Sequence, residues 1–166
     1  MSYLRIIIDG DIYFYEKVFS VKEHKYIDSE FPNISTKIYL EYERKFFPDD
    51  QWTDLTNSVL EMWTHNLLIN KDLVDKKFTL YFMDGPYRLD IIKDNNMNLK
   101  INCINGRTSD ISELIIECNY KEFLSALYDA YKTFINILYC NKMYQRKFVT
   151  IYNQAVLSMN KIKSVL

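Results

Sequence analysis

The sequence predicts an α+β fold: a mainly antiparallel sheet of about six or seven strands in a meander, with about three helices, the C-terminal two packed on one face. Three observations carry that reading. Four segments with strand periodicity follow one another between Phe78 and Cys118, separated by short polar connections, as in an antiparallel meander. Glu113–Cys118 alternates, with Leu114, Ile116 and Cys118 on one side, and then the period lengthens. Phe123, Leu127, Ala130, Phe134 and Leu138 recur at helical steps, so a strand feeds directly into an amphipathic helix that needs a sheet to cover. Finally, 48% of the 166 residues are apolar, enough to build one core.

In chain order, Tyr3–Ile8 and Ile12–Val18 are β-branched and aromatic around Asp9-Gly10. They read as a hairpin with a two-residue turn, or as one long strand with a Gly bulge. Phe19–Ser35 is polar with Pro32-Asn33 as punctuation and reads as a loop. Thr36–Phe46 alternates as a strand. Pro48-Asp49-Asp50 is expected to open the first helix, because acids in a first turn suit the helix dipole. Trp52, Leu55, Val59, Met62, Trp63 and Leu67 would form its apolar stripe.

The meander strands are then Phe78–Met83, Tyr87–Lys93, Met97–Ile104 with Met97, Leu99, Ile101 and Cys103 inward, and the strand around Leu114. Asn119 is placed to cap the next helix, with Glu122 three positions on returning the bond. A last helix is expected over about Met143–Val165, where Phe148, Ile151, Ala155, Met159 and Ile162 hold the period. Without internal repeats, low-complexity tracts or linker composition, residues 1–166 read as a single domain.

Composition narrows the function. No apolar run approaches the ~18–20 residues of a membrane span, and the N-terminus lacks the build of a secretory signal. Three widely spaced cysteines, Cys103, Cys118 and Cys140, make no disulfide framework, so a cytoplasmic protein is expected. The net charge of −1 disfavours nucleic acid as a partner. Charge is uneven, however. Residues 1–66 hold twelve acids against seven bases, whereas residues 141–166 hold five bases (Lys142, Arg146, Lys147, Lys161 and Lys163) and no acid.

Catalytic and cofactor signatures are missing from the text. His24 and His65 have no ligand partners at zinc spacing, and the three glycines, at 10, 85 and 106, belong to no phosphate-cradling loop. No activated nucleophile is recognisable. The chain is therefore expected to be no enzyme and to carry no metal or cofactor.

What remains is a surface. Glu41 and Glu43 share one face of a strand with Tyr39, and Glu113 and Glu117 share another, with Asp90 on a third. Were those strands neighbours, the open sheet face would be an acidic field set with Tyr39 and Ile115. Such a field suits a basic protein partner, because complementary charge raises association rate and specificity. Tyr39, Glu41, Glu43, Asp90 and Glu117 are the candidate partner-binding residues. A second reading gives the basic last helix a regulatory or nucleic-acid role through Lys142, Arg146 and Lys147; a third is an enzyme of unrecognised type.

The meander, followed by a capped strand end and Glu122–Leu138 (EFLSALYDAYKTFINIL), resembles immunity proteins of bacterial polymorphic and contact-dependent toxin systems. The resemblance spans about Phe78–Leu138. It implies a small cytoplasmic α+β protein that binds one cognate toxin and blocks its active site without catalysis. It transfers no contact residues.

Overall fold

The structure is a computed structural model describing residues 3–9, 14–15, 17–20, 25–28, 33–108, 110–145 and 148–166. The α+β expectation holds: among the described residues there are three helices and antiparallel sheets, with the C-terminal helices packed together.

The first sheet is built on β5 (Ile34–Tyr42), whose buried Ile34, Ile38 and Leu40 sit on its inner face. β1 (Arg5–Ile8) and β2 (Phe14–Tyr15) pair antiparallel with successive parts of β5, at Ile38–Glu41 and Ile34–Ser35, rather than with each other as a hairpin. Gly10, on which the expected two-residue turn or bulge falls, lies outside the described residues. The expected loop over Phe19–Ser35 is corrected by a small hairpin, β3 (Lys17–Ser20) against β4 (Lys25–Asp28). Val18 and Phe19 stand opposite Ile27 and Tyr26 there, so strand-forming residues were hidden among polar ones.

Two further corrections follow along β5. Thr36–Phe46 is not one strand, because Glu43 and Arg44 take positive φ (52° and 62°) and turn the chain back as β6 (Lys45–Phe47). Positive φ at both central residues is the geometry that fits the twist of a tight hairpin. Nor does Pro48-Asp49-Asp50 open a helix. Asp49 accepts the Gln51 N–H in a local turn at 2.8 Å, and the chain then runs as β7 (Thr53–Leu55), paired with β5. Helix α1 (Thr56–Ile69) follows, burying Val59, Leu60, Trp63 and Leu67.

The second sheet is the expected meander, in the order β11-β10-β9-β8, formed by β8 (Lys77–Tyr81), β9 (Tyr87–Lys93), β10 (Asn98–Asn105) and β11 (Ser112–Asn119). Leu89, Ile91, Leu99, Ile101, Cys103, Leu114, Ile116 and Cys118 are buried as their alternation required. Met97 is the exception. It has φ 67° in the β9–β10 turn and is 36% exposed, because Asp94 accepts the N–H groups of Asn96 and Asn98, each at 2.8 Å, and fixes the turn around it.

Helix α2 (Tyr120–Cys140) leaves β11 without a linker. The Asn119 side chain accepts the Lys121 N–H at 3.0 Å, and Glu122 accepts the Asn119 N–H at 2.7 Å, completing the predicted cap. Its buried stripe, Phe123, Leu127, Ala130, Phe134 and Leu138, packs against β1, β11, α1 and α3. Helix α3 spans Val149–Lys163, starting later than expected, with Phe148 against the core. One cluster of buried apolar side chains joins both sheets and all three helices. Among the described residues no helix is long and apolar enough to cross a membrane.

Candidate functional site

The outer face of the β5 sheet gathers the most distinctive chemistry. Alternation turns Lys37, Tyr39 and Glu41 outward, opposite the buried Ile38 and Leu40. On one side the register sets Ile7 beside Tyr39 and Arg5 beside Glu41; on the other it sets Phe46 beside Glu41. The Arg5 guanidinium donates to Glu41 at 2.9 Å, and the Lys37 ammonium lies 3.6 Å from the Asp9 carboxylate.

At the centre, the Tyr39 and Phe46 rings meet edge to face with centroids 5.7 Å apart, a favourable aromatic geometry. Phe46 is 42% exposed and Tyr39 is half-buried. The Tyr39 phenol is pushed above its ordinary pKa, first by burial, then by the Asp50, Glu41 and Asp9 carboxylates, with Lys37 opposing. The phenol thus stays a neutral hydrogen-bonding group facing three carboxylates. Glu43 stands at the end of this face, in the turn.

The sequence did not single out Phe46, which reads as the end of one strand. A two-residue turn at Glu43-Arg44 would have been the only signal, since it folds Phe46 back beside Glu41.

The predicted acidic field does not form, because β5 and β9–β11 belong to different sheets. Tyr39 and Glu41 come together on β5, and Glu43 stands in the turn that follows; Asp90 and Glu117 belong to the other sheet, on the open face of the meander. Asp90 is 5% exposed, and its carboxylate is occupied. It accepts the Thr79 hydroxyl at 2.8 Å and pairs with Lys77 at 3.3 Å and Arg88 at 3.4 Å. Glu117 is exposed and stands in register with Lys100. Lys77, Arg88 and Lys100 therefore balance Asp90, Glu113 and Glu117 across this face. Alternate bases on three strands supply that balance, and reading the acids alone missed it.

The remaining candidates are dispersed. His65 is exposed on α1, and His24 lies outside the described residues. Cys103 and Cys118 are buried and their thiols are driven upward by burial, that of Cys118 to about 12; neither is a thiolate near neutral pH. No group of three or more His, Cys, Asp or Glu able to hold a metal occurs among the described residues. Lys161 and Lys163 end α3, where they suit the helix dipole; Arg146 and Lys147 lie outside the described residues.

Comparison with known proteins returns no matching family model, curated protein or solved structure.

Proposed function

We propose that the chain is a non-catalytic protein-binding module of the immunity type, docking on a basic protein, a cognate toxin, through the outer face of β5. The observation that carries this reading is the Tyr39–Phe46 pair with Asp9, Glu41 and Asp50 grouped around the phenol. Aromatic side chains half-sunk in a surface make good anchors, because they bury much area with few rotatable bonds. Carboxylates at the rim steer a basic partner and fix its orientation. The strand–cap–helix segment that carries the resemblance also supports the reading, since β11 runs into α2 through the Asn119–Glu122 cap.

Asp90 and Glu117 are not part of this docking face; the functional group is Tyr39, Glu41 and Glu43, extended by Phe46. The test is co-expression with the product of the neighbouring reading frame. Growth rescue and a stable complex are expected if that product is a toxin. Tyr39→Ala and Phe46→Ala should each weaken the complex at least about tenfold, in the range of interface anchors. Glu41→Lys with Glu43→Lys should slow association most at low salt. Unchanged affinity in that double variant, at both low and moderate salt, removes this face from the interface.

A further inference from the structure

β1 has β5 as its only strand partner among the described residues. The ladder places Arg5 opposite Glu41 and Ile7 opposite Tyr39, and the Asp9 N–H donates to the Lys37 carbonyl at 3.2 Å. In an antiparallel ladder hydrogen-bonded positions alternate. Arg5, Ile7 and Asp9 therefore bond to β5, and the N–H and C=O groups of Leu4, Ile6 and Ile8 point to the opposite edge, which carries no strand among the described residues.

That edge lines a groove of about 610 Å³, whose opposite wall is one face of α2. Glu122, Ser125, Ala126 and Asp129 come from that wall, at the three- and four-residue spacing of a single helical face. Ser125 and Ala126 are short and leave room for a chain. Arg5 is the one base among the lining residues, and its guanidinium is held by Glu41 on the outer face of the sheet. Among the described residues the groove thus combines a strand edge that carries no second strand with two exposed carboxylates, Glu122, which also accepts the Asn119 N–H, and Asp129, which also pairs with Lys132 at 3.7 Å.

We propose that the free edge of β1 is a strand-addition site, taking an extended basic segment of the protein partner. The inference rests on the reading that this chain binds a protein. The added strand takes its main-chain bonds from Leu4, Ile6 and Ile8, as in edge-strand recognition generally. Its side chains alternate, so every second one lies over α2, where Lys or Arg meets Glu122 and Asp129. A second copy of this chain fits poorly. Pairing two β1 edges would set Leu4, Ile6 and Ile8 over the partner's carboxylates and bring two acidic α2 faces side by side.

The experiment uses the full chain, isotopically labelled, with two synthetic peptides: one alternating lysine and valine, the other glutamate and valine. Amide exchange and chemical shifts report the site. The lysine peptide should protect the Leu4, Ile6 and Ile8 amides and bind at least tenfold more tightly than the glutamate peptide. Asp129→Lys, an exposed change, should reduce that binding severalfold at low salt. Three results overturn the proposal: protection of those amides by neither peptide; binding of the lysine peptide that leaves them unprotected; or protection that rises with protein concentration alone, which gives the edge to a second copy. In each case the co-expression complex stays as a separate readout, so loss of the strand site does not decide whether the chain binds a toxin.

Discussion

The carboxylate of Asp54 accepts the backbone N–H of Asp84, at 3.1 Å to Oδ1 and 3.2 Å to Oδ2. It also accepts the N–H groups of Met83 at 3.0 Å and Leu55 at 2.7 Å, and the Trp52 indole N–H at 3.2 Å. Asp54 lies on β7 in the first sheet, whereas Met83 and Asp84 belong to the turn between β8 and β9 in the second. One buried carboxylate thus clamps the two sheets at this end. At the other end the Tyr42 hydroxyl donates to the Glu117 carbonyl at 3.1 Å.

Replacing that carboxylate by an amide should therefore be expensive. Asp54→Asn keeps one acceptor oxygen and aims an NH2 group at backbone donors, leaving at least one of them unsatisfied. The expected loss is about 2–4 kcal/mol near neutral pH, from urea melts. Burial raises the Asp54 pKa above its ordinary value of 3.8, against the pull of its hydrogen bonds. A raised carboxyl pKa means that its contribution is fully present below 3.8 and fades as pH rises through the folded value. The gap between parent and variant should narrow across that acidic window. A gap that widens with pH would show that the hydrogen bonds outweigh burial.

Gly85 completes the same turn with φ +77°. A Cβ there would stand 2.9 Å from Trp52 Cη2 and 3.3 Å from the Tyr87 ring, whose centroids are themselves 4.7 Å apart. Gly85→Ala meets both an unfavourable backbone conformation and an aromatic wall, and should cost about 1–3 kcal/mol. The check is a thermal melt followed by tryptophan fluorescence, where a displaced Trp52 also alters the native spectrum. An unchanged melt and spectrum would mean that the turn relaxes freely.

Phe134 is fully buried on α2, where α2 faces α1 and α3. Phe134→Ala should cost about 3–5 kcal/mol, because the lost ring leaves a cavity that packed neighbours fill only partly. Urea denaturation should show an earlier midpoint with the same slope. A neutral result would place α2 outside the cooperative core.

What the sequence made legible was local. The Asn119–Glu122 cap and the switch from alternating to helical period at Asn119 need only neighbouring residues, and the structure reproduces both. The meander is also near-local, since each strand pairs with the next. Two partners of β5 are not: β1 and β7 meet it across gaps that no short-range pattern encodes. The Glu43-Arg44 turn carries neither Gly nor Asn, so β6 and the position of Phe46 were hidden. For the same reason, grouping Glu41 with Asp90 and Glu117 failed, because a shared face depends on strand order. Tyr39 and Glu41 survive as a pair since alternation within β5 already fixes them, whereas Glu43 leaves the strand for the turn that follows.

Alkaline stability provides the last test. Tyr120 and Tyr131 are each 2% exposed, and their hydroxyls are committed, Tyr120 to the Leu67 carbonyl at 2.8 Å and Tyr131 with Thr64 Oγ1 at 3.0 Å. Burial pushes both from 10.0 to about 12; the Asp72 carboxylate adds to this for Tyr120, and Glu61 adds to it for Tyr131 while hydrogen bonds oppose. The fold therefore prefers the neutral phenol, and this contribution is fully present below pH 10 and is lost as pH rises through about 12. At pH 11 the loss is roughly 1.4 kcal/mol per tyrosine. Tyr131→Phe should be about 1 kcal/mol less stable than the parent near pH 7, where it lacks the Thr64 hydrogen bond. At pH 11 the variant should match or exceed the parent, because it has no phenol to ionise on unfolding. Cys118, raised from 9.0 to about 12, declines in an overlapping range in both proteins, so the informative quantity is the difference between them. Urea melts from pH 7 to pH 11 measure it, and a difference that stays constant would mean that Tyr131 ionises as readily in the fold as in the unfolded chain.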